Sequence, residues 1–148
     1  MKRSPRLGET ICANTTTLPS PIAVIRVSGL GAISGLQCLF GFSPLPQPKC
    51  VTLGRLQLKT CRDEALAWYN PGPHTVTGED YAEVMVHGSL EIVRQTLEQI
   101  HALGIRLAEP GEFSYRSYLN GKVTLMDAMA LPSLLGSQTP HDLLHVKA

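Results

Sequence analysis

Charged side chains of both signs crowd into one short stretch near the end of this 148-residue chain. Glu112, Arg116 and Lys122 stand there beside two turn signals, a Pro-Gly pair at 110–111 and an Asn-Gly pair at 120–121. Such pairs predict tight turns. Carboxylate, guanidinium and ammonium groups held on paired turns can bind a polar ligand through charge-assisted hydrogen bonds. The spacing therefore predicts a loop that recognises a polar molecule.

Composition limits the class of protein to which this loop belongs. The length fits one domain with a core of its own, and 13 Lys and Arg against 12 Asp and Glu leave a net charge of +1. Such a charge gives no molecule-wide attraction to nucleic acid or membrane. The apolar runs are far shorter than the roughly 20 residues of a membrane span, and no signal-peptide segment follows the basic start. We expect no membrane partner and a cytoplasmic protein, or a mitochondrial one in a eukaryote.

The four cysteines offer no paired metal ligands. No Cys-x-x-Cys pair occurs among the four, which are Cys12, Cys38, Cys50 and Cys61. A structural zinc site needs closely spaced ligands. Free, buried thiols in a reducing compartment are the expectation.

Apolar periodicity predicts the elements that must position the charged residues. Period-two alternation and turn signals indicate strands at about residues 10–16, 22–28, 51–58, 64–69 and 81–87. Helical spacing indicates a helix over 32–40 and a second one that begins after Ser89 and ends at Gly104. A third helical segment starts at Leu125 and meets Pro132, which predicts a short or kinked helix. The order strand, strand, helix, three strands, helix predicts an α+β fold with a single mixed sheet and helices packed on it.

Two of the predicted strands carry charge on the face opposite to their small apolar residues. Arg26 alternates with apolar neighbours in the second strand, and Glu83 shares a face with Tyr81, Met85 and His87 in the fifth. Taken alone, Arg26 and Glu83 fit a cross-strand ion pair on a solvated sheet face.

Motifs of covalent, metal and nucleotide chemistry do not occur in usable form. His141 and His145 stand at i and i+4, as in zinc proteases, but only three residues follow them and no third ligand is available. The Asn-Gly-Lys sequence at 120–122 lacks the first glycine and the hydroxyl residue of a P-loop, and no Gly-x-Ser-x-Gly turn is present. We expect no catalytic residue and no metal ligand.

Four groups of residues, in order along the chain, resemble motifs of the N-terminal domain of the MnmE family, also called TrmE, whose members are tRNA uridine-modifying GTPases. They are Ile22-Ala23-Val24-Ile25-Arg26-Val27-Ser28-Gly29; Pro71-Gly72-Pro73 with Thr77-Gly78-Glu79-Asp80 and His87-Gly88; Pro110-Gly111-Glu112-Phe113-Ser114; and Arg116 with Leu119-Asn120-Gly121-Lys122. Each motif alone is weak, but four in the same order make chance a poor explanation.

This resemblance implies a folate-binding and dimerisation domain over residues 1–124, similar to the folate-binding unit of aminomethyltransferases, and the start of a helical segment over 125–148. It implies that 5-formyl- or 5,10-methylene-tetrahydrofolate binds at the interface of a homodimer, with contacts at Arg26, Glu83 and Lys122. In that family a helical domain and a GTPase domain follow, and the full-length protein modifies tRNA together with a flavoprotein partner, MnmG or GidA. Glu79, Asp80, Glu112 and Arg116 are expected to be structural supports.

Three hypotheses about the function of this chain remain open. The leading one is the folate-binding and dimerisation domain, without the GTPase domain and without turnover of its own. The second is a dimerisation scaffold that no longer binds folate, which is favoured by Leu18-Pro19-Ser20-Pro21 in place of the glycine-rich turn usual in the family. The third is a folate-dependent aminomethyltransferase, which would need a second repeat of the fold and therefore a longer chain.

Overall fold

The structure is a computed structural model that describes residues 8–136 and 138–140. Its elements in chain order are β1 (Ile11–Asn14), β2 (Ser20–Ser28), α1 (Ala32–Phe40), β3 (Thr52–Gln57), β4 (Arg62–Asn70), β5 (Tyr81–Gly88), α2 (Leu90–Ala102), β6 (Arg106–Leu107), α3 (Glu112–Leu119) and α4 (Leu125–Leu135). No helix in these ranges is long and apolar enough to cross a membrane. The histidine pair at 141 and 145 lies outside the described residues.

The six strands form one mixed sheet in the order β3-β4-β5-β2-β1-β6. The pairings from β3 to β1 are antiparallel, and the short β6 pairs parallel with β1. The expected α+β fold with a single mixed sheet and packed helices is therefore confirmed. The two central strands, β5 and β2, are those that carry Glu83 and Arg26, and these two residues are direct register partners.

One face of the sheet is covered by α1 and α2 and forms the core. Its buried residues include Ala23, Ile25 and Val27 of β2, Ala82, Val84 and Val86 of β5, Ala32 and Leu36 of α1, and Val93 and Ile100 of α2. Small apolar side chains on the central strands allow both helices to pack closely on the sheet. Since neighbouring residues of a strand point to opposite sides, Arg26 and Glu83 are directed away from this core.

The opposite face, which we call the open face, includes two cross-strand rows. The first row is Arg26, Glu83 and Trp68, and the second is Val24, Met85, Leu66 and Leu53. The side chains of Leu53 and Leu66 are 63% and 37% exposed. The face therefore combines a charged pair with an apolar row that remains accessible to solvent.

The helix ends agree with the sequence pattern. Ser89 precedes α2, and its Oγ accepts a hydrogen bond from the N–H of Ile92, which satisfies one of the free donors of the first turn. Gly41 ends α1 in the left-handed region, with φ of 65°, and its N–H bonds to the carbonyl of Gln37. Gly104, which marks the predicted end of α2, also has a positive φ, of 87°.

The stretch predicted as a loop with paired turns contains a helix. After Gly111, whose φ is 78°, α3 begins at Glu112. Its Ser, Tyr and Phe residues favour helix only weakly, so the helix depends on its tertiary contacts. Glu112 and Arg116 are four residues apart on one side of α3, and both are buried. The second predicted turn is present, with φ of 68° at Gly121.

One further element, β6, differs from the expectations, while α4 starts at the predicted Leu125. The sequence pattern does not predict β6, which has two residues and is held by hydrogen bonds from the N–H of Arg106 to Thr10 and from Ala108 to Cys12. A strand so short leaves no alternation to detect. Helix α4 continues past the proline at position 132 and ends at Leu135.

The cysteines are only partly buried. Cys12 lies in the core, where burial raises the pKa of its thiol to about 11. Cys38 and Cys50 are exposed, so the expectation of buried thiols is wrong for these two. Cys38 lies on the solvent side of α1, and Cys50 lies two residues before β3.

Candidate ligand-binding site on the open face

Arg26 and Glu83 approach each other across β2 and β5 without completing a hydrogen bond. Arg26 Nε lies 3.5 Å from Glu83 Oε1, and the side chains are 43% and 18% exposed. A charge-assisted N–H···O bond is usually about 2.7 to 2.9 Å long. Arg26 Nε is itself buried and has no hydrogen-bond partner in the described part of the chain. The pair therefore leaves this N–H without a close acceptor, while the rest of the Arg26 side chain is partly exposed.

Glu83 is held by two aromatic side chains. The indole Nε1 of Trp68 donates to Oε2 over 2.9 Å, and the hydroxyl of Tyr81 donates to Oε1 over 2.8 Å. The two rings contact each other, with centroids 5.7 Å apart. Burial, followed by the hydrogen bond to Glu83, raises the pKa of Tyr81 above its usual value, so the hydroxyl stays protonated. The carboxylate is thus fixed in place by two neutral donors.

Lys122 lies on the turn after α3, against the loop that leads into β5. A Cβ on Gly78 would stand 3.2 Å from Cε of Lys122, and the side-chain amide of Asn120 donates to the carbonyl of Thr77 over 2.8 Å. No hydrogen bond or ion pair joins Lys122 to Arg26 or Glu83 in the described ranges. The structure thus brings two of the three candidate residues into contact and places the third against the loop that precedes β5.

A buried network fixes this loop to the sheet and to α3. The carboxylate of Glu79 accepts from Ser28 Oγ over 2.6 Å and from Arg116 Nη1 over 3.1 Å. Arg116, which is fully buried, also donates to Glu112, and Glu112 accepts two bonds from Arg106. These contacts are those expected of structural supports.

Asp80 supports the same loop from its other end, because its Oδ1 accepts from the N–H of Gly72 over 2.8 Å.

The pKa of Glu112 shows how strongly the buried network stabilises its charged form. Burial raises the pKa of Glu112, but hydrogen bonds from Arg106 and from the N–H of Glu109 outweigh burial and lower it to about 2.

A cavity of about 320 Å³ lies at the end of the sheet beside this loop. It is lined by glycines and acidic residues, among them Gly29, Gly72, Gly78 and Asp80. None of the three candidate residues lines it, although Gly78 also contacts Lys122. The cavity therefore adjoins the candidate site without containing it.

Comparison with known proteins identifies the family of this domain. The family model described as "GTP-binding protein TrmE N-terminus" matches residues 10–122. The chain belongs to the TrmE N-terminal family. The tRNA modification GTPase MnmE of Anaplasma marginale is 41% identical over 135 residues, which cover 89% of this chain and 30% of that protein. The corresponding protein of an Azoarcus species is 40% identical over 141 residues, which cover 93% of this chain and 30% of that protein.

The TrmE match includes every residue placed in the candidate site. Arg26, Trp68, Tyr81, Glu83 and Lys122 all lie between residues 10 and 122, and α4 lies beyond the matched range. This chain spans about 30% of the length of the curated relatives it matches. The match therefore identifies the domain, and the activities of the longer relatives belong to those proteins.

The sequence did not predict that Trp68 belongs to the candidate site, and it did not predict the contact that Tyr81 makes with Glu83. Tyr81 shares the face of Glu83 by simple alternation and was expected there, but its hydrogen bond to Glu83 was not. Trp68 could not be placed, because the register that pairs it with Glu83 depends on how β4 and β5 align. The available signal was a tryptophan in the predicted strand that precedes the strand of Glu83.

Proposed function

We propose that this domain binds a reduced folate, 5-formyl- or 5,10-methylene-tetrahydrofolate, on the open face of its sheet. One observation carries the proposal beyond family membership. The Arg26 and Glu83 side chains are oriented by the sheet but do not close on each other, and the buried Nε of Arg26 has no acceptor. The Arg26 side chain is also 43% exposed, so its terminal N–H groups can donate to an acceptor on a bound ligand.

The donor set fits a folate. A carboxylate such as Glu83 can accept two parallel hydrogen bonds from the exocyclic amino group and a ring nitrogen of a pterin. Guanidinium and ammonium groups suit carbonyl oxygens or a glutamyl carboxylate, which matches Arg26 and Lys122. When bound, the folate would supply the one-carbon unit, while these residues bind and orient it.

We further propose that a second copy of the chain covers the open face. The apolar row of this face includes Leu53 on the edge strand β3 and Leu66 on the neighbouring β4, and both side chains are exposed. An exposed apolar row on an ordered sheet gains free energy when a partner buries it, at about 25 cal/mol per Å². A twofold pairing would place the same row of each copy against the other.

The longer relatives carry the name tRNA modification GTPase. We propose that this domain serves such a protein as its folate-binding and dimerisation unit, with a flavoprotein as the partner in tRNA wobble-uridine modification. The scaffold reading is the alternative, favoured by the prolines at positions 19 and 21 that replace a glycine-rich turn. Within one copy, that turn lies about 20 Å along β2 from Arg26, so its effect on ligand binding would have to come through the partner copy.

Calorimetric titration with 5-formyl-tetrahydrofolate tests the folate proposal. We expect micromolar binding by the wild-type chain and its loss in Arg26→Ala and in Glu83→Ala. Arg55 and Glu64 provide a matched control, because they are a second Arg and Glu register pair on the open face, between β3 and β4. Arg55→Ala and Glu64→Ala should bind as the wild type does. A folded dimer that gives no heat with this ligand would contradict folate binding and support the scaffold.

Light scattering tests the dimer separately. Leu53→Glu places a charge in the apolar row, and we expect it to shift the chain from dimer to monomer. Leu90→Glu is the control, since Leu90 is also exposed but lies at the start of α2. Equal dimerisation of both variants would exclude the open face as the interface.

A further inference from the structure

Two aromatic residues from neighbouring strands each hold one oxygen of Glu83. Trp68, on β4, is the register partner of Glu83, and Tyr81 precedes Glu83 by two residues on β5. Their donors lie 2.9 and 2.8 Å from Oε2 and Oε1, and the planes of the two rings are inclined by 54°. The carboxylate therefore cannot rotate without breaking at least one hydrogen bond.

We infer that Trp68 and Tyr81 are positioning residues that orient Glu83 for a ligand edge with two adjacent N–H donors, such as that of a 2-amino-pyrimidinone ring. This inference rests on the proposed function, because it names the part of the reduced folate that Glu83 reads. It adds two residues and a selection rule to that proposal.

The acceptor capacity of Glu83 supports this selection. A carboxylate has about four acceptor positions, two on each oxygen. Trp68 and Tyr81 use one position on each oxygen. Arg26 Nε lies 3.5 Å from Oε1, beyond the usual length of a charge-assisted hydrogen bond, so one position on each oxygen remains for a ligand. Two parallel N–H donors of a planar ligand need this arrangement, one acceptor on each oxygen.

Both supporting groups keep their role as donors. The indole N–H can only donate, and the buried hydroxyl of Tyr81 remains protonated because burial and Glu83 oppose its ionisation. A ligand that presents acceptors to Glu83 would place them against two carboxylate oxygens, while the Trp68 and Tyr81 donors are already used by Glu83. The site therefore discriminates against such a ligand.

The preference of the chain between two ligands can be measured. Substitutions of Trp68 and Tyr81 would not change this preference if the two residues served only the stability of the fold. Calorimetry gives the dissociation constants of 5-formyl-tetrahydrofolate and of its 2-desamino-2-methyl analogue, which lacks the exocyclic amino donor. We expect the wild-type chain to prefer the amino compound. In Trp68→Phe and in Tyr81→Phe this preference should shrink by roughly 10-fold or more, the lower end of the range covered by one hydrogen bond to a charged group.

Tyr69→Phe is the matched control. Tyr69 adjoins Trp68 on β4, but its hydroxyl donates to the carbonyl of Pro46 on the core side. The control variant loses one buried hydrogen bond without touching Glu83, so its ligand preference should equal that of the wild type. Thermal unfolding of each variant checks that it is folded.

The outcomes separate this inference from the proposed function. Failure of the wild type to bind either compound contradicts the folate proposal itself. Binding without preference in the wild type, or an unchanged preference in Trp68→Phe and Tyr81→Phe, overturns only the positioning role. If Trp68→Phe does not fold, the ligand preference of Tyr81→Phe decides whether the positioning role holds. Trp68 is the one tryptophan of the chain, so its fluorescence in Tyr81→Phe reports whether the site is intact.

Discussion

Removal of the buried charge of Arg116 should destabilise the domain far more than removal of an exposed arginine. Arg116 is fully buried and donates to Glu79 over 3.1 Å and to Glu112 over 3.2 Å. Arg116→Met retains a long apolar side chain of similar length and deletes the positive charge. Glu79 then loses its cation, and Glu112 retains only Arg106 as a charged partner.

Breaking a buried ion pair by removing one partner costs about 3 to 5 kcal/mol, because a buried charge is left uncompensated. For a domain of this size each kcal/mol lowers the melting temperature by about 2 to 4 °C. Arg116→Met should therefore lower it by about 6 to 20 °C. Urea unfolding followed by circular dichroism gives the free energy, and thermal unfolding gives the temperature.

Arg94→Met is the matched control. Arg94 pairs with Glu91 and Glu98 on the surface of α2, where all three side chains are exposed. Solvent screens such pairs and they add little to stability, so this variant should melt close to the wild type. A loss in Arg116→Met no larger than that in Arg94→Met would refute the assignment of Arg116 as a buried support. If Arg116→Met does not fold, Arg116→Lys keeps the charge and should fold with an intermediate loss.

The remaining predictions concern acid stability and one close backbone contact. The pKa of Glu112 falls from 4.5 to about 2 on folding, so its stabilisation, on the order of 3 kcal/mol, is present above pH 4.5 and is lost as the pH falls towards 2. The unfolding free energy of Glu112→Gln should therefore vary less with pH than that of the wild type between pH 4.5 and 2. If it varied equally with pH in both proteins, protonation of Glu112 would not be the cause of the acid sensitivity. Gly88→Ala would place its Cβ 2.1 Å from the carbonyl oxygen of Ser20, so it should lower stability by about 1 to 3 kcal/mol or more. Gly8→Ala, which meets nothing within 4 Å, should melt as the wild type does.

Regular elements with a clear period were predictable from the sequence. α1 occupies the predicted residues 32–40, and α2 begins after Ser89 because the hydroxyl of this residue satisfies a helix donor. Alternation alone places Arg26 and Glu83 on the face opposite to the apolar residues of their strands. It does not fix which residues stand opposite each other, because register depends on how whole strands align.

Elements held by tertiary contacts were not predictable in the same way. The segment that forms α3 has weak helix formers and two glycines beside it, which locally favour turns. Its helix is supported by Arg116, whose partners include Glu79, 37 residues earlier in the chain. Only the four-residue spacing of Glu112 and Arg116 indicated a shared helical face, and this spacing carries no information about a partner so distant in sequence.

The chain contains two clusters of the same residue types, and their different geometry separates support from recognition. In the cluster around Arg116, the carboxylate of Glu112 accepts bonds from Arg106, Arg116 and the N–H of Glu109, and it is sealed from solvent. In the cluster around Arg26, the distance to Glu83 is 3.5 Å and the arginine side chain is partly exposed. A pair that served stability alone would gain by closing that gap, since β2 and β5 already hold both residues in register. Two aromatic donors instead hold Glu83 where it is, and this arrangement is expected of a site that completes its hydrogen bonds with a ligand.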